Sequence, residues 1–354
     1  AMEEDCEMVM LGWCRRDDIA LMRRPPSNRH LARLQRAGFH LPEVVAAGSL
    51  RDRKLGGLRP WAWSPEAAEL LRPHAGDVSA TVPWQWREAI PAGWLSKEIG
   101  VELLGRLGVE GRGVVCREAG EAVETVETML GGGPVLVKGA FACAGREQLR
   151  VVKTVDATTR KWLDRMIGSH RCVVVERWRE RLLDFSALYE LGPDRVDLTG
   201  MTVMENDARG RFLGTRVAPK WGGLLNEDVA AFLFREARVM DWYREKIPAV
   251  LPDLLPGYMG PLGVDAMVFR EANGSFGWSP VVELNVRMTM GRVALELMRK
   301  SRPNSSGTLR IMRKCQVDDR ELLAMQDGTL EGGPMLLNDP EQAREFLVRW
   351  EVAT

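Results

Sequence analysis

The sequence predicts an α+β fold in three parts, and three observations carry that prediction. The chain has 354 residues, more than the roughly 250–300 at which a single hydrophobic core stops growing. Short strand-like runs are mixed with segments of helical period. Glycine and proline breaks, with no internal repeat and no long low-complexity stretch, divide the chain. The parts are residues 1–92, a leading domain; 93–177, a small central α+β domain; and 178–354, a larger C-terminal α+β domain.

The leading part opens on a strand-like Met8-Val9-Met10-Leu11-Gly12 and a helix from Ser27 to Ala37 closed by Gly38. It ends in a stretch rich in tryptophan and proline, with Trp61, Trp63, Pro65, Trp84 and Trp86. A second helix begins at Ser96, a candidate N-cap, with Leu103, Leu104 and Leu107 on one side and Gly108 near its end. A helix at Glu118–Leu130, the break Gly131-Gly132-Gly133-Pro134 and a strand at Val135–Lys138 follow. Then come a small-residue loop, a strand near Leu149–Val152, a helix from Ala157 to Ile167 and a strand at Cys172–Glu176. Beyond Trp178, alternation marks Met201–Met204 and Phe212–Val217, and a long amphipathic helix is expected over Glu227–Arg244. Two strands flank Asn273-Gly274. Helices are expected after Gly291 and after Pro340.

Composition excludes several functions. Apolar residues make up 45% and charged residues 28%, with no run near the roughly 18 apolar residues of a membrane span. Lys plus Arg and Asp plus Glu both number 49, so no overall field draws the chain to nucleic acid or anionic lipid. The acidic opening Ala1-Met2-Glu3-Glu4-Asp5 lacks the basic and apolar regions of a secretory leader, and a cytoplasmic location is expected. Six scattered cysteines without Cys-x-x-Cys and only four histidines suggest neither a disulfide framework nor a zinc site. Cys143, in a small-residue loop, reads as an incidental cysteine, and the twelve tryptophans as core or interface anchors.

The richest chemistry lies in Val281-Val282-Glu283-Leu284-Asn285-Val286-Arg287. Period two puts Val282, Leu284 and Val286 on one face and Glu283, Asn285 and Arg287 on the other. A carboxylate, an amide oxygen and a guanidinium about 7 Å apart suit Mg²⁺ and an anion; a solvent-facing strand with an internal Glu–Arg pair would read the same way. Gly263–Phe269 reads as the partner strand. A two-residue turn at Asn273-Gly274 sets Asp265 opposite Val282, on the wrong face. One extra residue absorbed at Gly277 or at Ser279-Pro280 brings Asp265 beside Glu283; otherwise Asp265 caps a strand end. Lys138 ends its strand and enters Gly139-Ala140-Phe141-Ala142-Cys143-Ala144-Gly145-Arg146, where small side chains let amides approach an anion, although no Walker motif is present. Lys97 sits in the first turn of a helix, where the dipole favours anions, so its ammonium reaches outward, either to something negative or simply to solvent.

In their order along about residues 93–300, these features resemble the ATP-grasp superfamily. Lys97 with Leu103, Leu104 and Gly108 is similar to the lysine-led helix that opens the family's central domain, and Lys138 to its second phosphate-contacting lysine. The loop with Gly139 and Gly145 resembles the cover over the phosphates. Val173–Trp178 resembles the interdomain hinge as written in D-alanine:D-alanine ligases, with Glu176, Arg177 and Trp178 against adenine and Asp184 at the ribose. Asp265, Glu283 and Asn285 correspond to Mg²⁺ ligands, and Arg287 to the arginine two residues beyond the asparagine in biotin carboxylase-like members. The loop has two glycines where many members have four or more, Asp184 lies one residue further from the hinge than in the ligases, and the metal hairpin is longer.

The resemblance implies ATP and two Mg²⁺ ions, with Mn²⁺ able to substitute, and a ligase that activates a carboxylate as an acylphosphate and passes it to an amine. Lys138 and Arg287 would be catalytic; Arg216 and Lys220, basic residues of the kind usually only solvated, are not assigned to the site. The partners implied are small molecules, with neither nucleic acid nor membrane, in a chain compatible with a homodimer. A phosphotransferase on the same fold and a nucleotide-sensing module without catalysis are the alternatives.

Overall fold

A computed structural model of the chain describes residues 2–46, 48–50, 53–79, 88–111, 113–141, 147–208 and 210–353. The leading residues contain α1 (Met2–Cys6), β1 (Ile19–Met22), α2 (Asn28–Arg36), β2 (Glu43–Ala46) and α3 (Pro65–Leu71). Ser27 caps α2 by accepting the His30 N–H at 3.2 Å, and Gly38 leaves it at φ +104°, as the sequence reading expects. Met8–Gly12 is not a strand. It lies in a 3₁₀ helix, Glu7–Gly12, with Met8, Val9, Leu11 and Gly12 all buried, because an unbroken apolar run does not distinguish a buried strand from a buried helix. Trp84 and Trp86 lie outside the described residues.

The next elements are α4 (Glu98–Arg106), β3 (Val114–Cys116), α5 (Ala119–Leu130), β4 (Val135–Gly139), β5 (Gln148–Val151), α6 (Ala157–His170) and β6 (Val173–Arg177). They build an antiparallel sheet of order β3-β6-β4-β5. Val135, Val137, Val173 and Val175 pack against Ala122, Val126, Leu163 and Met166 of α5 and α6. Alternation therefore turns Leu136, Lys138, Val174 and Glu176 to the opposite face.

The remainder comprises β7 (Glu180–Leu191), β8 (Val196–Asn206), β9 (Phe212–Val217), α7 (Glu227–Ala231), α8 (Val239–Asp241), α9 (Ile247–Leu254), β10 (Gly260–Arg270), β11 (Phe276–Asn285), α10 (Met290–Lys300), β12 (Ser306–Arg313), α11 (Asp319–Gln326), β13 (Met335–Leu336) and β14 (Phe346–Ala353). Its sheet has the order β11-β10-β7-β8-β9-β12-β14-β13. One face, with Phe185, Ala187, Val264 and Ala266, packs against residues of α4, α7 and α9. The other, with Leu188, Val217 and Leu309, packs against α10 and the leading residues Met8, Val9, Leu11, Met22 and Leu34. The leading residues thus share a core with the C-terminal part. No helix among the described residues is long and apolar enough to cross a membrane.

Two expected helices differ. The one over Glu227–Arg244 is broken by π-helical turns at Phe232–Glu236 and Trp242–Lys246 and by Arg238 at φ +50°. Within the second turn the Tyr243 carbonyl accepts the buried Tyr189 hydroxyl at 2.8 Å. After Pro340 the chain forms β14. The N–H groups of Arg344, Glu345 and Phe346 are taken up by the Asp5 carboxylate, a long-range partner that local pattern cannot show.

The hairpin that matters for the site closes on a three-residue turn, Ala272-Asn273-Gly274, with Glu271 N–H bonded to Ser275 O and Gly274 N–H to Glu271 O, each at 2.9 Å. Pairing runs from Arg270↔Phe276 to Met267↔Ser279 and resumes at Asp265↔Glu283. β11 thus absorbs two extra residues around Pro280–Val282, not one. Pro280 has no N–H for the ladder, and the carbonyls freed there are satisfied by Tyr243 Oη to Pro280 O at 2.8 Å and Ser279 Oγ to Val281 O at 2.9 Å. The irregularity changes the buried set: Val281, Leu284 and Val286 enter the core, where uninterrupted alternation selects Val282. Gly274 sits at φ +86°, so Gly274→Ala should destabilise the hairpin by about 1 kcal/mol in denaturant unfolding; an unchanged midpoint would mean that this turn does not hold the register.

Candidate functional site

Two lysines with buried side chains face carboxylates. Lys138, near the end of β4, pairs with Glu176 on β6; the register sets Leu136 opposite Glu176 and Lys138 opposite Val174, so the pair is a same-face diagonal. Lys97 occupies the N-cap position of α4, while Ser96 Oγ accepts the Glu98 N–H at 3.2 Å and does the capping. The Lys97 ammonium lies 2.7 Å from Glu283 Oε2. Its own amide donates to Ala140 O at 2.8 Å, joining α4 to the chain just beyond β4.

On the large sheet, pairing collects polar groups on the face opposite Phe185 and Ala187. Asp184 lies between Met204 and Met267, and Ser186 between Thr202 and Asp265. Glu283 stands across from Asp265 on the other side. Ser186 donates its hydroxyl to Asp265 Oδ1, Asn285 Nδ2 donates to Asp265 Oδ2 at 3.0 Å, and Arg287 Nη2 donates to Asn285 Oδ1 at 2.7 Å. Burial pushes the Asp265 carboxyl up to about 6, and the Glu283 charge adds to the shift against the opposing Ser186, Arg287 and Asn285. Burial also raises Asp184, against the Arg181 and Lys138 charges and the Asn206 amide; Asn206 Nδ2 donates to Asp184 Oδ2 at 2.6 Å.

The sequence-selected residues are not all gathered equally. The Arg177 guanidinium turns away, donating to Met129 O at 3.4 Å beside Gly132. Trp178 holds its N–H on Pro134 O at 3.0 Å, and its ring lies 3.7 Å from the Arg150 guanidinium. Gly139 has no room for a side chain, since a Cβ there would come within 2.8 Å of His170 Nδ1. Arg216 pairs with Val203, which alternation puts on the far face from Asp184 and Asp265. Gly145 and Cys143 lie outside the described residues.

Sequence reasoning missed Ser186, Asn206 and His170. Ser186 follows Asp184 by two and becomes visible once Glu180–Leu191 is recognised as a strand. His170 Nδ1 accepts the Phe141 N–H at 3.3 Å, and its Nε2 lies 3.4 Å from Glu147 Oε2, so the end of α6 braces both sides of the phosphate-loop candidate.

The donor set fits a hard divalent cation. Two carboxylates face one another across a ladder, with an amide oxygen nearby. Among the described residues no group of three or more His, Cys, Asp or Glu could hold a metal ion. Mg²⁺ takes one or two carboxylates and completes its shell with water and phosphate oxygens, which Asp265 and Glu283 would allow. The amide oxygen of Asn285 is engaged by Arg287, so ligation through it requires that guanidinium to move or share.

No family model matches the chain, and no curated protein sequence matches it. Solved structures do. N5-carboxyaminoimidazole synthetase from Staphylococcus aureus, complexed with ADP, is similar over 97% of this chain and 91% of its own at 12% identity, with a TM-score of 0.53. A biotin carboxylase–β,γ-ATP complex from Campylobacter jejuni is similar over 92% and 84% at 14% identity, TM-score 0.52. The ADP complex of purK, N5-carboxyaminoimidazole ribonucleotide synthetase, covers 99% and 90% at 10% identity, TM-score 0.51. At these identities the likeness establishes the fold.

Asp265 makes the pH dependence testable. Its folded value of about 6 lies above the ordinary 3.8, so near pH 3.8 and below its charge costs nothing. As pH rises through the window from 4 to 6 the unfolded chain releases its proton first, and stability falls, by about 3 kcal/mol in all. Asp265→Asn should therefore be more stable than the native chain at pH 8 and nearly equal near pH 4 in urea unfolding without nucleotide. Lower stability of Asp265→Asn at pH 8 would contradict this account.

Proposed function

We propose that this chain, whose fold is the ATP-grasp fold, uses Mg·ATP to activate a substrate carboxylate as an acylphosphate and joins it to an amine or similar nucleophile. The observation that carries the reading is that the buried Lys97 of α4 reaches Glu283, the large-sheet carboxylate that faces Asp265, while the buried Lys138 of β4 pairs with Glu176 of β6. Buried ion pairs add little net stability, so the two lysine–carboxylate pairs are better accounted for as parts of a cradle for a polyanion with its counterions.

In this assignment residues 93–177 and 178–354 are the two halves that hold the nucleotide, with residues 1–92 packed beside the second. The backbone of Glu176–Trp178 receives adenine, the Arg177 side chain taking no part, and Asp184 receives the ribose. Lys97, Lys138 and the amides of the loop that begins at Gly139 and includes Gly145 bind the phosphates. Asp265, Glu283 and Asn285 hold Mg²⁺, one or two ions, or Mn²⁺ in its place. Bound metal neutralises charge on the transferred phosphoryl group. Arg287 steers the carboxylate, whose oxygen attacks the γ-phosphorus as the bond to ADP breaks. The amine then attacks the acyl carbon and phosphate departs, with the amine's proton released to solvent. Positioning and charge neutralisation supply most of the rate.

Thermal and calorimetric titration with Mg·ATP tests the site. At about a hundred times Kd, binding should add about 2.7 kcal/mol of stability, reduced in Lys138→Met and Glu283→Gln. Binding indifferent to both substitutions would refute the assignment. With acid and amine supplied, ADP, phosphate and a new amide are expected; a phosphorylated acceptor would establish phosphotransfer instead.

A further inference from the structure

We infer that Lys97 competes with the metal for Glu283, so that loading of the cation and capture of a polyanion are one linked exchange at this site; the inference rests on the assignment of Asp265, Glu283 and Asn285 as metal ligands. The oxygens in question are already held by donors of the chain itself. Ser186 Oγ donates to Asp265 Oδ1, Asn285 Nδ2 donates to Asp265 Oδ2 at 3.0 Å, and Arg287 Nη2 donates to Asn285 Oδ1 at 2.7 Å. The Lys97 ammonium lies 2.7 Å from Glu283 Oε2. Of these donors Lys97 and Arg287 are cations, so the chain supplies counterions of its own to a site assigned to a divalent ion.

What holds the ammonium is the Glu283 carboxylate. Lys97 stands at the N-cap of α4, beside the positive end of the helix dipole, which disfavours a cation. Its side chain is only 5% exposed, so water does little for the charge. A divalent cation on Glu283 would lie within a few ångströms of that ammonium, and in a partly buried setting like charges at such a distance repel strongly. The ammonium therefore gives way as the metal arrives. The backbone does not follow it, since the Lys97 amide is fastened to Ala140 O at 2.8 Å; only the flexible four-carbon stem swings.

An ammonium displaced from its carboxylate needs another anion, so the metal binds weakly by itself and tightly with a ligand whose negative charge takes up Lys97. The coupling is reciprocal: a polyphosphate that draws Lys97 away frees Glu283 for the metal, and the metal releases Lys97 for the polyphosphate. Lys138 differs. Its partner Glu176 belongs to the small sheet and is not among the metal ligands, so the metal alone leaves that pair intact, and the two lysines respond to Mg²⁺ differently.

Two measurements on the full chain test this. In trace acetylation read by peptide mass spectrometry, Mg²⁺ alone should speed labelling of Lys97 at least threefold and leave Lys138 unchanged. In titrations with Mn²⁺ followed by electron paramagnetic resonance, Lys97→Met without nucleotide should bind Mn²⁺ at least tenfold more tightly than the native chain, while Lys97→Arg, which keeps the charge, should stay within threefold of it. With a saturating non-hydrolysable ATP analogue the gap between Lys97→Met and the native chain should close to within threefold. Equal Mn²⁺ affinity of Lys97→Met and the native chain without nucleotide, or Lys97 acetylation indifferent to Mg²⁺ in a chain that binds it, would overturn the inference and leave the metal assignment standing. No Mn²⁺ binding by the native chain or by Lys97→Met, with or without the analogue, would overturn the inference and the metal assignment together.

Discussion

The confrontation of Asp265 with Glu283 is the constraint on which the rest of the site depends. Continued past Met267↔Ser279 without interruption, the ladder would set Val281 opposite Asp265 and give an ordinary apolar sheet. The two residues absorbed at Pro280 send Val281 into the core and bring a second carboxylate up to the first. Two like charges across a ladder repel, and the surroundings answer that repulsion with Ser186 and Asn285 on Asp265 and with Lys97 on Glu283. The arrangement is unfavourable by itself and is held by the framework around it.

The framework explains why the lysines arrive where they do. The valines of β4 and β6 commit one face of the small sheet to α5 and α6, so alternation leaves Lys138 and Glu176 no choice but the other face. In the same way Phe185 and Ala187 bury one face of β7 and turn Asp184 and Ser186 to its opposite. Apolar packing on one face of each sheet thus determines which polar groups its other face presents.

What was legible in the sequence was local. The strand bearing Lys138, the helix led by Lys97 and the polar alternation of Glu283, Asn285 and Arg287 could be read because each is specified by its immediate neighbours. The partnership of Asp265 with Glu283 was open to reasoning only because a face rule demanded a displaced register; the residues absorbed around Pro280 are held by Tyr243, 37 positions away in the chain. β7, the strand that carries Asp184 and Ser186, begins with the charged Glu180-Arg181 and was invisible for that reason. The end of the chain was misread as helix because its amides are satisfied by Asp5, more than three hundred positions away. The direction of Arg177 is set by the space above Gly132, which no strand pattern encodes.

Lys97 has a mechanical meaning beyond its charge. Its amide is fastened to Ala140, just past a strand of the small sheet, and its ammonium to Glu283 on the edge strand of the large one. One residue is therefore a tenon set in two mortises. A rotation of the small sheet against the large one would have to slide along this peg or carry α4 with it, and in either case the motion would act on the Glu283 carboxylate.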